Sequence, residues 1–161
     1  MVLSLRKALA SDIDFLQQLR DASMRKYLID AGMPTSREAY LQRVQYQFEH
    51  AKVVEVNGES AGLFKSLFEP KQHRWYLVQI QIMPIYQRAG IGRQLIQQLI
   101  EQSHQQNFDV GLSVIKSNPA KRLYERLGFV VVDESDCEFE MVNFAVTKST
   151  PVSNLSENKR F

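Results

Sequence analysis

Cysteine is nearly missing from this chain: Cys137 stands alone among 161 residues. No disulfide can close within the molecule, so the fold must rest on its core, and a reducing cytoplasm is the expected compartment. No apolar run approaches the roughly 20 residues that cross a bilayer. The opening Met-Val-Leu-Ser-Leu-Arg also lacks the basic and long apolar regions of a secretory signal. A membrane partner is therefore not expected. Excess charge of one sign is lacking too, with 20 Lys and Arg against 18 Asp and Glu, a net charge of +2. That balance gives no reason to expect a nucleic-acid surface. Most charges read as solvated helix faces, with Arg88 and Arg93 as the exceptions. Repeats, domain linkers and low-complexity blocks are absent before Ser149. The expectation is one domain over residues 1–148 and a flexible tail over 149–161, where Ser, Thr, Asn, Lys and Pro dominate.

What is present is a soluble composition, 44% hydrophobic and 24% charged, arranged in short periodic segments. Val2 to Arg6 alternates as a first strand. Ser11 and Asp14 have the spacing of a capping box, and Phe15, Leu16 and Leu19 form the apolar face of the helix it would open, continuing to Tyr27 and Leu28 before Gly32-Met33-Pro34. Thr35 and Glu38 repeat that spacing ahead of a second helix with Tyr40, Leu41, Val44 and Phe48. Lys52 to Val56 and Ala61 to Phe68 flank Asn57-Gly58, a pair suited to a tight hairpin. The turn Glu69 to His73 then leads into a strand from Trp75 to Met83, in which Val78, Ile80 and Ile82 alternate with Gln79 and Gln81 and which Pro84 ends.

The next stretch, Tyr86-Gln-Arg-Ala-Gly-Ile-Gly-Arg93, joins that strand to a helix whose apolar stripe is Ile91, Leu95, Ile96, Leu99 and Ile100. Gly90 and Gly92 permit close backbone approach, and the first N–H groups of a helix have no internal partners, so the loop is a cradle for an anion, most naturally phosphate. Val110 to Ile115 reads as another strand. Asn118 and Pro119 open a further helix with the stripe Ala120, Leu123, Tyr124 and Leu127, ended by Gly128. Phe129 to Val132 and Glu138 to Val146 make a last strand pair around the acidic turn 133–136. The order β-α-α-β-β-β-α-β-α-β-β implies an α/β (α+β) mixed sheet covered by helices, parallel where a helix separates paired strands.

Gln87-Arg-Ala-Gly-Ile-Gly92 resembles the Gln/Arg-x-x-Gly-x-Gly/Ala acetyl-CoA loop of the GNAT superfamily of N-acetyltransferases. Asn118-Pro-Ala-Lys-Arg-Leu-Tyr-Glu-Arg-Leu-Gly-Phe129 is similar to the Asn-x-x-Ala-x-x-Leu-Tyr-x-x-x-Gly-Phe segment of its small members, with Ala one position early. A dinucleotide fingerprint would need a third Gly, and a P-loop a Lys-Ser/Thr pair; both are missing.

The resemblance implies the acyl-CoA N-acyltransferase fold, acetyl-CoA as cosubstrate without a metal, and direct attack of a primary amine in a ternary complex. The expected acceptor is a small amine or amino-acid derivative; a peptide N-terminus and a noncatalytic acetyl-CoA-binding module are the alternatives, and homodimerisation is a family expectation. Backbone donors of Arg88, Ala89, Gly90, Ile91, Gly92 and Arg93 would hold the pyrophosphate, with Gln87 bracing the loop. Ile80 and Ile82 would offer main-chain hydrogen bonds to pantetheine where their strand splays from the Val110 strand. Asn118 would cap its helix and contact the pantetheine arm or order nearby water, and Tyr124 would be general acid to the departing thiolate.

Many members carry a Glu near the start of the strand before the loop, where this chain offers Tyr76 and Gln79; Glu69 and His73 receive no catalytic assignment. Met24, Arg25, Tyr27 and Met33 are the candidate acceptor-lining residues.

Overall fold

A computed structural model describes residues 1–145. Seven strands form one sheet: β1 Leu3–Lys7, β2 Ala51–Val56, β3 Glu59–Glu69, β4 Arg74–Ile82, β5 Asp109–Ile115, β6 Val130–Glu134 and β7 Glu138–Asn143. Their order across the sheet is β1-β2-β3-β4-β5-β7-β6. The helices are α1 Ile13–Asp30, α2 Arg37–Gln45, α3 Ile91–Gln105 and α4 Ala120–Arg126. Among the described residues only the β4–β5 pair is parallel, as expected for strands joined through a helix. The expected strand end at Val146, the domain end at 148 and the tail 149–161 lie outside the described residues.

The helices divide between the two faces of the sheet. Leu16, Leu19 and Val44 pack with Val53 and Leu63 on one side. Ile91, Leu95, Ile96, Leu99, Tyr124 and Phe129 pack with Val54, Leu77 and Leu112 on the other. Each large apolar side chain so buried stabilises the fold by about 2 kcal/mol before its ordering entropy is counted. The β2–β3 hairpin turns through Asn57 at φ 51° and Gly58 at φ 83°, the left-handed pair that Asn-Gly predicts.

Local details depart from the sequence reading. The entry to α1 is fixed by Asp12, whose carboxylate accepts from the Leu9 N–H at 2.7 Å and pairs with Arg6 at 2.8 Å; the expected Ser11–Asp14 box does not form. At α2 the cap is Ser36, accepting from the Ala39 N–H at 3.1 Å, one residue later than the Thr35 expectation. Helix α2 ends at Gln45, so Phe48 lies in the short turn that follows. Strand β6 takes in Asp133 and Glu134, which shortens the acidic turn.

The largest departure is Lys65, a strand residue with 0% exposure. Its ammonium donates to the carbonyls of Arg43 and Val44 at 3.2 Å and to that of Tyr46, satisfying the C-terminal end of α2 that would otherwise be orphaned. Burial, with the nearby charges of Arg43 and Arg20, pushes its pKa down to about 8. An unfolded lysine titrates near ~10.4, so between these values the unfolded chain holds a proton the folded one releases, and stability rises with pH through that window. Lys65→Met should cost roughly 3 kcal/mol at pH 7, because three carbonyls lose their donor. Denaturant titration should show a gap from wild type that is constant below neutrality and widens from about pH 8 to 10.

Candidate active site

The site begins with an irregularity in β4. Lys65 of β3 opposes Gln79 and Ser66 opposes Leu77, so Val78 is an extra residue, a β-bulge. Before it, Trp75 and Leu77 face α3; after it, Ile80 and Ile82 return to that same face. Simple alternation would have grouped Val78 with Ile80 and Ile82. The bulge instead turns Gln79 and Gln81 toward the α1–α2 side, 5% and 6% exposed. The parallel ladder to β5 stops at the same place, its last pair being Leu77 with Leu112. Beyond it β4 stays on β3 and β5 stays on β7, so the facing edges of 79–82 and 113–115 diverge, as the sequence reading expects.

Two cavities meet in this gap. One, of about 470 Å³, is lined by Ile80 to Ile82, the 86–93 loop apart from Ala89, and the start of α4 with Leu123 and Tyr124. The other, of about 480 Å³, runs under α1 and α2 and is lined by Arg20, Arg43, Tyr76, Gln79 and Glu138 among others. Met24, Ile80, Gln81, Asn118 and Tyr124 line both.

The first cavity fits an anionic, extended ligand. Gly90 takes φ 78° and Arg88 takes φ 67°, a conformation rarely adopted by residues other than glycine and one that concentrates in functional loops. The first α3 bond runs from the Gln94 N–H to the Gly90 carbonyl, so the N–H groups of Ile91, Gly92 and Arg93 have no partner in the helix. A Cβ on Gly92 would meet only Ile80 Cδ1, at 3.9 Å. The fold itself therefore has room for a side chain there, and glycine keeps that space open. Gln87 Nε2 donates to the Ile82 carbonyl at 2.9 Å and ties the loop to the end of β4. Ala89 lies within this loop without lining the cavity.

Asn118 Oδ1 accepts from the Ala120 N–H at 2.9 Å, the expected cap at the start of α4. Asn118→Asp should keep that cap and most stability while weakening acetyl-CoA binding if the side-chain amide donates to the ligand. Calorimetry beside a melting curve separates the two jobs: equal affinity in both proteins would leave Asn118 with capping alone.

Tyr124 packs edge-on against Phe129 with ring centroids 5.9 Å apart. It is 7% exposed, and burial pushes its pKa up to about 12, so the phenol is protonated at neutral pH. Its hydroxyl has no hydrogen-bond partner among the described residues, and the residue lines both cavities.

Of the candidate acceptor-lining residues, only some line the two cavities. Met24 and Met33 line the second cavity, and Tyr27 lines the first. Arg25 lines neither and pairs on the surface with Asp21 at 3.1 Å. Glu69 reaches the second cavity, but Arg74 holds its carboxylate at 2.6 Å. His73 stands against Phe108, centroids 5.6 Å apart. Missed were Arg20, Arg43 and Glu138. Glu140, also missed, sits beside the Tyr76 hydroxyl at the edge of hydrogen-bonding distance, 3.5 Å, with its pKa raised by burial. Cys137 lies in the β6–β7 turn, its thiol 3.5 Å from the Ala31 carbonyl. Among the described residues, no group of His, Cys, Asp and Glu is placed to hold a metal, and no helix is long and apolar enough to cross a membrane.

The acetyltransferase (GNAT) domain profile matches residues 15–147. The chain belongs to the GNAT acetyltransferase family. Solved structures of the same fold include the PaiA N-acetyltransferase of Thermoplasma acidophilum in complex with coenzyme A, 17% identical, with 89% of this chain and 99% of that one covered and a TM-score of 0.67. An acetyltransferase of Thermus thermophilus is 21% identical over 88% of this chain and 96% of its own, TM-score 0.70. The NatC complex bound to Gag peptide and CoA is 16% identical over 89% and 99%, TM-score 0.64. No curated protein matches the sequence significantly. Membership of the GNAT family supports acyl transfer from acetyl-CoA as the class of chemistry.

Proposed function

We propose that this protein is an N-acetyltransferase that moves an acetyl group from acetyl-CoA to a primary amine by direct attack, with a small amine or amino-acid derivative as acceptor. The observation that carries the reading is the meeting of the two cavities at Tyr124 and Asn118. One cavity suits a phosphate-bearing thioester and the other an amine, and their shared wall is where acyl carbon and nucleophile would come together.

In this scheme the N–H groups of Arg88 to Arg93 hold the pyrophosphate, Gln87 keeps their loop on β4, and the free edge at Ile80 and Ile82 receives the pantetheine amides. An N–H near Ile80 stabilises the oxygen that gains charge on attack. The neutral amine forms the new C–N bond, the tetrahedral centre collapses with C–S cleavage, and CoA leaves as thiolate. An amine with a pKa near ~10.4 costs about 4.6 kcal/mol to deprotonate at pH 7, so an acceptor for its proton is valuable. Glu138 is a carboxylate in the wall of the acceptor cavity without an ion pair among the described residues, and it takes that role, directly or through water.

Calorimetry tests the cofactor half. Acetyl-CoA should bind at micromolar concentration, and Gln87→Ala should weaken it by about tenfold, because the loop loses its tether to the Ile82 carbonyl at a cost near 1.4 kcal/mol. Absence of acetyl-CoA binding by wild-type protein would end the reading.

A further inference from the structure

The acceptor cavity has a strongly cationic end that the proposed chemistry leaves unused. Arg20 of α1 and Arg43 of α2 both line it. Arg43 is held in place: it donates to the carbonyl of the bulged residue Val78 at 3.1 Å and stacks on Tyr46 at 5.3 Å. Its remaining donors find no acceptor among the described residues, and neither do those of Arg20, whose guanidinium has only the Tyr40 ring, at 6.0 Å. Lys65 adds a third positive charge behind them, felt by both arginines and opposed in part by Glu49. The carboxylates of the same cavity do not neutralise this group, since Glu69 is paired with Arg74 and Glu138 makes no ion pair with either arginine.

A second observation points at the same place. Gln79 lies directly across from Lys65 on β3, is 5% exposed, and lines the cavity with both its amide nitrogen and its oxygen unpartnered. Buried amides are ordinarily satisfied by protein or water, so an amide orphaned inside this wall is bonding capacity that a bound ligand takes up only if the side chain turns toward it. Burial, and secondarily the like charge of Arg43, lowers the Arg20 pKa to about 10, which still leaves it cationic at neutral pH. An anion between the two arginines would offset their like charge and satisfy planar donor forks suited to a carboxylate.

We infer that the acceptor is an amino-carboxylate, its carboxylate seated between Arg20 and Arg43 with the Gln79 amide as a further donor and its amine directed toward the Tyr124 junction. This deepens the reading above, on which it rests for the reaction but not for the binding of the acid. Arg20 and Arg43 are thereby specificity residues, and the acidic group, not the amine, distinguishes the substrate from other small amines.

The experiment measures CoA release from acetyl-CoA with a panel of α- and ω-amino acids of two to six carbons, each beside its carboxamide. The best acid should exceed its amide in kcat/KM by at least about tenfold, through KM, as expected for a charge-assisted contact replaced by a neutral one. Arg20→Gln should abolish that preference while acetyl-CoA affinity, read by calorimetry, stays at the wild-type value and certifies the fold. Equal or better turnover of the amides by wild-type protein overturns the inference. If no member turns over, calorimetry of the same pairs on the CoA complex decides: acids that bind where their amides do not support the carboxylate seat, and acids that do not bind refute it. Failure of acetyl-CoA to bind would instead defeat the proposed reaction, leaving the acid–amide comparison on the free protein to judge the arginine pair separately.

Discussion

Tyr124→Phe is expected to lower kcat about 100-fold while acetyl-CoA affinity changes by less than about twofold. The substitution removes one oxygen and leaves the ring, so the edge-on contact with Phe129 and the burial among the α4 stripe persist. No protein hydrogen bond is lost, because the hydroxyl makes none among the described residues. Stability should therefore hold, and a melting curve serves as control. The environment also sharpens how the phenol acts. With its pKa pushed up to about 12 by burial, full proton transfer to a thiolate of ordinary pKa near ~8.5 is uphill by roughly 5 kcal/mol. The role we propose for it is hydrogen-bond donation to sulfur as negative charge develops, Tyr124 keeping its proton and the released thiolate taking one from solvent. A Tyr124→Phe enzyme with wild-type kcat would remove Tyr124 from the mechanism.

Gly62→Ala should be the most damaging of the glycine-to-alanine changes, since its added Cβ comes nearest to backbone. A Cβ at this position of β3 would lie 2.4 Å from the Gln81 carbonyl oxygen and 2.9 Å from Ile82 Cδ1, and the first of these is backbone that cannot rotate away. Either β3 and β4 part at the Gly62–Ile82 pair or the end of β4 moves. Overpacking of this kind costs about 1–3 kcal/mol in side-chain cases and more when the main chain must shift. The displaced segment is the one proposed to receive pantetheine and anchored by Gln87, so acetyl-CoA affinity should fall by more than tenfold even in protein that remains folded at low temperature. Denaturant titration and calorimetry on one preparation check both parts, and a variant with normal stability and affinity would show that this strand end is softer than its packing indicates.

Much of this architecture is legible in the sequence because its signals are local. Asn57-Gly58, the Gly-rich loop, the Asn118–Gly128 frame and the stripe of α3 each carry their own turn or period, and each forms where expected. The splay of β4 from β5 follows from the family likeness, but the bulge at Val78 that produces the re-aimed glutamines does not: an inserted residue looks like ordinary alternation until a partner strand fixes the register. The entry to α1 departs from the sequence reading for a related reason. Asp12 beat Ser11 because Arg6, a neighbour only in the folded sheet, holds its carboxylate, and such a partner is invisible along the chain.

The acceptor side was least legible. Arg20 and Arg43 sit on helices whose polar residues read as a solvated face, and Lys65 reads as the polar position of a strand. Their burial is decided by how α1 and α2 lie across β3 and β4, a tertiary fact. Arg25, chosen from the same stretch, points to solvent and pairs with Asp21.

Transfer of the acetyl group to an amine is tested by CoA thiol release from acetyl-CoA with and without a mixed panel of small amines, amino acids and short peptides. Release that requires an acceptor, with the N-acetylated product identified by mass spectrometry, is the predicted result. Tight binding of acetyl-CoA with no acceptor-dependent release on any member would contradict it and leave a binding module in place of an enzyme.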